Sequence, residues 1–195
     1  AAGARLGRGE RRLRGGGDHR QRSVRRQRGL HQGDGATQVV DHQQTVARRA
    51  ALAGPDHAAL SASIVAHALA ALAVPGIAAF CWPIRHEPDV RALLAAWALA
   101  GVRCALPVVT GENLPLAFRA WTSETPLQPD RYGIPTPTTG DWLIPDLLLL
   151  PLNGFDAAGY RLGYGGGYFD RTLATLEPRP LAVGVGFEIN RVATI

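Results

Sequence analysis

The apolar and polar positions change character near residue 43. Upstream they show almost no periodicity; downstream they fall into blocks with helix or strand spacing. Residues 44–73 (QTVARRAALAGPDHAALSASIVAHALAALA) are Ala- and Leu-rich. They predict a short helix, a break at Gly54-Pro55, and a second helix with Asp56 as its N-cap. The apolar run 77–82 (IAAFCW) stops at Pro83 and predicts a buried strand, followed by the loop PIRHEPDV. Residues 90–101 (VRALLAAWALAG) read as a helix closed by Gly101, and 102–109 (VRCALPVV) as the next strand. LAFRAW (116–121) reads as a further strand, and YGIPTPTTG (132–140) as a proline-rich loop. DLLLLPL (146–152) is apolar throughout, as expected of a central parallel strand covered on both faces. The Gly-rich stretch 159–171 leads into a helix around 168–176, and LAVGVGF (181–187) is the last strand. About five strands with interposed helices predict an α/β fold: a three-layer, Rossmann-like sandwich with a mostly parallel sheet flanked by helices.

Composition divides the chain at about residue 40. The 195 residues are 46% hydrophobic and 19% charged, which suits one globular domain, here 41–195, plus a low-complexity segment, 1–40. The formal charge of +5 is unevenly spread. Residues 1–40 hold ten Arg against Glu10, Asp18 and Asp34, while the remainder is slightly acidic. A segment of Arg, Gly, Gln and His buries too little area to offset its ordering entropy, so disorder is expected there. An inert or out-of-frame tail is favoured over a nucleic-acid arm, because no aromatic interleaves the arginines to stack on bases. All 21 basic residues are Arg and there is no Met, as in a GC-rich coding sequence read from a non-initiator start. No apolar run approaches the ~18 residues of a membrane span. No apolar signal segment follows the charged N-terminus. Cys81 and Cys104 lack zinc spacing and are too few for a disulfide scaffold, so a reducing cytoplasm and an inert packing role are expected. His67, alone on an Ala/Leu helix, reads as a satisfied helix residue.

The candidate chemistry lies in FDAAGYRLGYGGGYFDR (155–171), between the strand at 146–152 and the following helix. Such a turn gathers backbone N–H groups at a helix N-terminus, where anions are favoured, and glycine lets a phosphate approach without a Cβ. Arg161 is placed to fork onto phosphate oxygens, and Asp170 to hold a divalent metal that bridges phosphates. The common nucleotide motifs do not fit. A GxGxxG starting at Gly163 needs glycine where Tyr168 stands, and a Walker loop needs a Lys that the chain lacks. On residue chemistry alone, a tight glycine turn without a ligand stays open.

RLGYGGGYFDR (161–171), preceded by Phe155-Asp156 and followed by GVGFE (184–188), resembles the 5-formyltetrahydrofolate cyclo-ligase family. The family pattern is a hydrophobic strand, Pro, FD, a turn, R-L-G-x-G-x-G-Y-[YF]-D-R, a helix and a G-[LV]-[AG]-[FY] strand; Pro151, Gly163, Gly165, Gly167, Tyr168 and Arg171 match it too. AFCWPIRHEPDVRALL (79–94) resembles the segment whose Glu, here Glu87, contacts folate. YGIPTP (132–137) resembles a G-I-x-[EQ]-P turn, with Thr136 at the acid or amide position, and ARRAAL (47–52) resembles the end of the first helix. The resemblance spans about 44–195.

It implies ATP-dependent closure of 5-formyltetrahydrofolate to 5,10-methenyltetrahydrofolate with Mg²⁺. The formyl oxygen takes the γ-phosphoryl group, N10 attacks the activated carbon, and phosphate leaves. Arg161 and Tyr168 are the implied catalytic residues. Arg161, Leu162, Gly163, Tyr164, Gly165, Gly166, Gly167, Tyr168 and Phe169 would bind ATP, and Asp170 the metal. Trp82, Glu87, Tyr164, Gly165, Gly166, Gly167 and Tyr168 would bind the folate, which in this family is sometimes polyglutamylated. For Trp82, core packing is an equal alternative. The family precedent is a cytoplasmic monomer without membrane or nucleic-acid partners. Two departures stand out. The first-helix K-x-x-L-R-like pattern falls near Gln38 and His42, neither a fixed cation, and the chain ends at Ile195, before the family's His-Asp pair with its second metal contact. A C-terminally truncated, catalytically impaired member that still binds folate or nucleotide is the alternative expectation.

Overall fold

A computed structural model describes residues 42–195. The expectations for 1–40, and the position of Gln38, lie outside the described residues. In chain order the elements are α1 (His42–Ala50), α2 (Gly54–Ala71), β1 (Ile77–Ala79), α3 (Arg91–Leu99), β2 (Arg103–Val109) and β3 (Leu116–Trp121). They continue with β4 (Leu127–Pro129), β5 (Pro135–Pro137), β6 (Trp142–Leu143), β7 (Leu147–Pro151), β8 (Gly154–Phe155) and β9 (Arg161–Leu162). The last are α4 (Tyr168–Thr175), β10 (Leu181–Val185) and a 3-10 turn at Glu188–Asn190.

The main sheet runs β10-β7-β1-β2-β3-β6. β10, β7, β1 and β2 are parallel, whereas β3 and β6 are antiparallel. The connection 110–115 explains the switch: it is too short for the helical crossover that a parallel partner needs. The continuous apolar run of β7 follows from its central place. Leu147 and Leu149 face one core with Phe80, Leu93, Leu94 and Trp97, and Leu148 and Leu150 face the other with Phe118. α2 and α3 cover the first face, and α4 packs on the second through Tyr168, Phe169 and Leu173. This is the three-layer α/β fold the pattern predicts.

Several local expectations need correction. Asp56 does not cap α2. The helix starts at Gly54 with Ala53 at the N-cap and no side-chain cap, because Pro55 supplies a first turn that needs one donor fewer. Asp56 lies in that first turn, where its charge suits the dipole. The strand expected over 77–82 ends at Ala79, since Trp82 and Pro83 turn away toward the loop. The loop expected at 132–140 contains β5, which pairs with β4. His67 is satisfied as expected, its Nδ1 lying 2.7 Å from the Ser63 carbonyl.

One buried threonine ties α4 to the sheet. The Thr172 hydroxyl donates to the Tyr168 carbonyl at 2.7 Å and accepts from the Leu116 amide at 2.8 Å. Thr172→Val keeps the shape but orphans a buried N–H, so unfolding in urea should show a loss of about 1–3 kcal/mol. A loss below a few tenths would mean that the amide finds another partner.

Candidate active site

The chain leaves β1 toward α3 and β2 on one side of the sheet, and leaves β7 toward α4 and β10 on the other. The strand order therefore reverses between β1 and β7, the place where open α/β sheets bind ligands beyond their carboxyl ends. A small crevice sits there, lined by Cys81, Glu87, Leu149, Leu150, Pro151 and Val185. The turn after β1 forms one wall, and the glycine loop after β7 approaches from the other.

The turn at 83–88 exists to bury a carboxylate. Arg85 and His86 both take positive φ, 48° and 57°, an uncommon strain for non-glycine residues. The chain thereby doubles back so that the Glu87 amide bonds the Ile84 carbonyl at 2.9 Å. The Ile84 amide in turn donates to Glu87 Oε2 at 3.0 Å. From α2, His57 Nε2 donates to the Glu87 carbonyl at 3.0 Å. Glu87 is only 4% exposed. Burial lifts its pKa above the usual carboxylate range, opposed by the Ile84 amide, the Tyr164 hydroxyl, Arg49 and Arg85. Burial also pushes up the neighbouring Cys81 thiol, and the Glu87 charge adds to it. This keeps Cys81 in the unreactive thiol form.

Tyr164 links the two walls. Its hydroxyl donates to Glu87 Oε1 at 2.7 Å and accepts from Arg49 Nη2 at 3.0 Å. Burial and the Glu87 charge hold this phenol far above its ordinary pKa, so it remains a donor. The Arg85 guanidinium lies over the Tyr164 ring, 5.4 Å from its centroid.

The remainder of the loop is built around bare backbone. β8 and β9 form a hairpin whose turn is held by Asp156 Oδ1, which accepts the Ala158 and Tyr160 amides at 3.0 Å each. This assigns the FD pair a turn-forming role. Gly165 and Gly167 have φ of 83° and 62°. Gly167 is the N-cap of α4 and leaves that helix start without a side-chain cap. A Cβ on Gly166 would come within 3.1 Å of the Tyr168 ring. The loop is thus an open N-terminus with glycine where backbone must be bare, a geometry that fits phosphate oxygens. Arg161 Nη2 pairs with Asp170 Oδ1 at 2.5 Å. Arg171 donates to the Gly166 carbonyl at 2.7 Å and lies over the Tyr168 ring. Tyr168 and Tyr132 hydroxyls meet at 2.7 Å, and this bond raises the Tyr168 pKa.

Among the described residues, no three His, Cys, Asp or Glu side chains are grouped to hold a metal ion. Asp170 is a single carboxylate, 74% exposed, shared with Arg161. That donor set fits Mg²⁺ as one ligand beside phosphate oxygens and does not fit a closed all-protein cage.

The structure brings together Glu87 with Tyr164, and Arg161 with Asp170. Trp82 stands apart from both pairs. It packs edge-on against Trp121 with Arg91 over its ring, at the margin of the first core. Leu162 is in the hairpin, and Phe169 packs on the second core. Sequence reading missed Arg49, Arg85 and Tyr132. Arg49 had a signal: it stands four residues from Thr45 on α1, and both are buried, so the apolar face of that helix carries a cation.

The family profile described as "5-formyltetrahydrofolate cyclo-ligase family" matches residues 22–195. It thus begins inside the Arg-rich segment. A curated 5-formyltetrahydrofolate cyclo-ligase of Haemophilus influenzae is 33% identical over 86 residues, 41% of this chain and 46% of its own length. One of Mycolicibacterium smegmatis is 33% identical over 102 residues, 47% and 51% of the two chains. The chain spans about half the length of the curated relatives it matches. Among solved structures, the 5,10-methenyltetrahydrofolate synthetase of Aquifex aeolicus superposes with a TM-score of 0.66 at 27% identity, covering 79% of each chain. The Mycoplasma pneumoniae protein of the same name superposes with a TM-score of 0.63 at 22% identity, covering 79% of this chain and 87% of its own, a likeness of fold. With a switch-point crevice lined by a buried glutamate that the R-L-G-x-G-x-G-Y-F-D-R loop reaches through Tyr164, and with a profile match over most of its length, the chain belongs to the 5-formyltetrahydrofolate cyclo-ligase family.

Proposed function

We propose that the chain cyclises 5-formyltetrahydrofolate to 5,10-methenyltetrahydrofolate with consumption of ATP. The observation that carries this reading is a single loop with two different ends. At one end Tyr164 holds a buried carboxylate; at the other, bare glycine amides and Arg161 open the N-terminus of α4.

The two ends suit the two halves of the reaction. An acceptor-only carboxylate, Glu87, is matched to the paired N–H donors of a pterin ring edge. Loop amides, Arg161 and the helix dipole are matched to phosphate oxygens, and Asp170 would hold Mg²⁺ against them. ATP supplies the phosphoryl group that turns the formyl oxygen into a leaving group. The chain then has to hold N10 against the formyl carbon. It also has to exclude water, which the apolar floor of Leu149, Leu150, Pro151 and Val185 favours. Tyr168, whose hydroxyl meets that of Tyr132, would hold the folate over the loop. The reading includes a monomer acting in the cytoplasm. Two free thiols accord with it. Among the described residues, no helix is long and apolar enough to cross a membrane.

The test is direct. Full-length chain, 5-formyltetrahydrofolate, ATP and Mg²⁺ should give the ultraviolet absorbance of the methenyl product, with one ADP per turnover. ATP hydrolysis without that absorbance, or neither signal, would reject the cyclisation.

A further inference from the structure

Arg49 is the largest charged side chain with no exposed surface. Its guanidinium gathers three segments that are distant in sequence. Nη1 donates to the Leu152 carbonyl beyond β7 at 3.0 Å. Nη2 donates to the Arg85 carbonyl in the strained turn at 3.3 Å and to the Tyr164 hydroxyl at 3.0 Å. Being fully buried, it meets no ligand itself; whatever it does passes through Tyr164.

A helix tie needs only backbone carbonyls, and the first two bonds supply them. The third bond does something different. A phenol hydroxyl can rotate, and can donate or accept. A guanidinium can only donate and stays charged. Facing it, the Tyr164 oxygen must accept, so its hydrogen is turned to Glu87 Oε1, 2.7 Å away. Glu87 then receives donors on both oxygens, from Tyr164 and from the Ile84 amide. A carboxylate held in this way presents acceptors alone to the crevice. In this row Arg49 fixes the one hydrogen that could turn, that of Tyr164.

We propose that Arg49 is a positioning residue that fixes the donor direction of Tyr164 and so makes Glu87 an acceptor-only anchor, selecting ligands that offer paired N–H groups. This rests on the reading that Glu87 holds the pterin. The other charged or titratable groups facing Glu87 are Arg85, His86, His57 and Cys81, and none of them bonds the Tyr164 hydroxyl.

The experiment compares Arg49→Gln, Arg49→Lys and Tyr164→Phe with Asn190→Ala. Asn190 Nδ2 donates to the Thr45 and Asn153 carbonyls, so Asn190→Ala loosens the same helix without touching Tyr164. At matched loss of Tm, Arg49→Gln should raise KM for 5-formyltetrahydrofolate roughly 10–100-fold while KM for ATP stays within about twofold. Asn190→Ala should leave both within about twofold, and Arg49→Lys, still a pure donor, should recover part of the loss. Arg49→Gln and Tyr164→Phe combined should be no worse than the worse single variant. A second readout needs no turnover. With ¹³C-labelled tyrosine, the Tyr164 resonance should move on Glu87→Gln in the wild-type background and stay still in Arg49→Gln. Equal kinetics for Arg49→Gln and Asn190→Ala, or a Tyr164 resonance that still follows Glu87 without Arg49, would overturn the proposal. If the wild-type chain handles no reduced folate, the cyclisation reading falls, and the resonance alone decides the role of Arg49. Should Arg49→Gln not fold, Arg49→Lys and Tyr164→Phe carry the same comparison.

Discussion

Glu87→Gln should yield a protein whose Tm, set against the wild type, depends on pH and which converts no measurable 5-formyltetrahydrofolate. The two effects share one cause. Burial holds the Glu87 pKa above its unfolded value. A carboxyl raised in this way contributes stability below the unfolded value, and that stability is lost as pH rises through the folded one. At neutral pH the charged carboxylate therefore weighs against folding. Glutamine removes the charge but leaves one donor unmatched: with Oε1 accepting the Tyr164 hydroxyl, Nε2 faces the Ile84 N–H. The Tm of Glu87→Gln relative to the wild type should be highest near pH 7 and decline as pH falls toward about 4, the ordinary carboxylate range. Catalysis should suffer in the opposite sense. Two charge-assisted bonds to ligand N–H groups are worth about 3 kcal/mol or more, so kcat/KM should fall at least about 100-fold. Differential scanning calorimetry across pH and the methenyl absorbance assay check both. A Tm difference that does not change with pH, or turnover within tenfold of wild type, would remove Glu87 from the site as described.

Asp170→Ala and Arg161→Ala should each abolish most turnover and barely alter stability. An exposed ion pair contributes about 0–1 kcal/mol, so both variants should fold. A preorganised group at developing phosphate charge is worth more, about 100–1,000-fold in kcat. The variants should differ in metal response. Asp170→Asn should need more Mg²⁺ for its half-maximal rate, whereas Arg161→Ala should lose kcat with that Mg²⁺ requirement unchanged. If Asp170 served only to hold Arg161, the double variant would equal Arg161→Ala and the Mg²⁺ requirement would not move. That result would reassign Asp170 to positioning.

The parallel half of the sheet was legible because its strands are buried on both faces, which leaves an uninterrupted apolar word such as Leu147–Pro151. Helix boundaries at Arg91–Leu99 and Tyr168–Thr175 followed from period and glycine. The antiparallel edge was less legible. β6 is two residues long and β5 is Pro-Thr-Pro, so neither has enough positions to show a period. In the site, the glycine loop announced itself, since bare backbone needs glycine. Glu87 did not: a carboxylate in a polar loop looks solvated, and only the double positive-φ turn buries it. Arg49 was hidden for a related reason. Its partners come from residues 85, 152 and 164, and no local window contains them.

Tyr164 is part of the glycine loop by sequence and part of the Glu87 wall by hydrogen bonding. Occupants of the two ends are therefore not independent. A ligand that draws the loop toward itself works with or against the bond to Glu87, and its affinity carries that free energy. Linkage is reciprocal, so whatever factor the nucleotide imposes on folate affinity, the folate must impose on nucleotide affinity. On the proposed reading, nucleotide and folate would share a single thermodynamic cycle closed by one phenol.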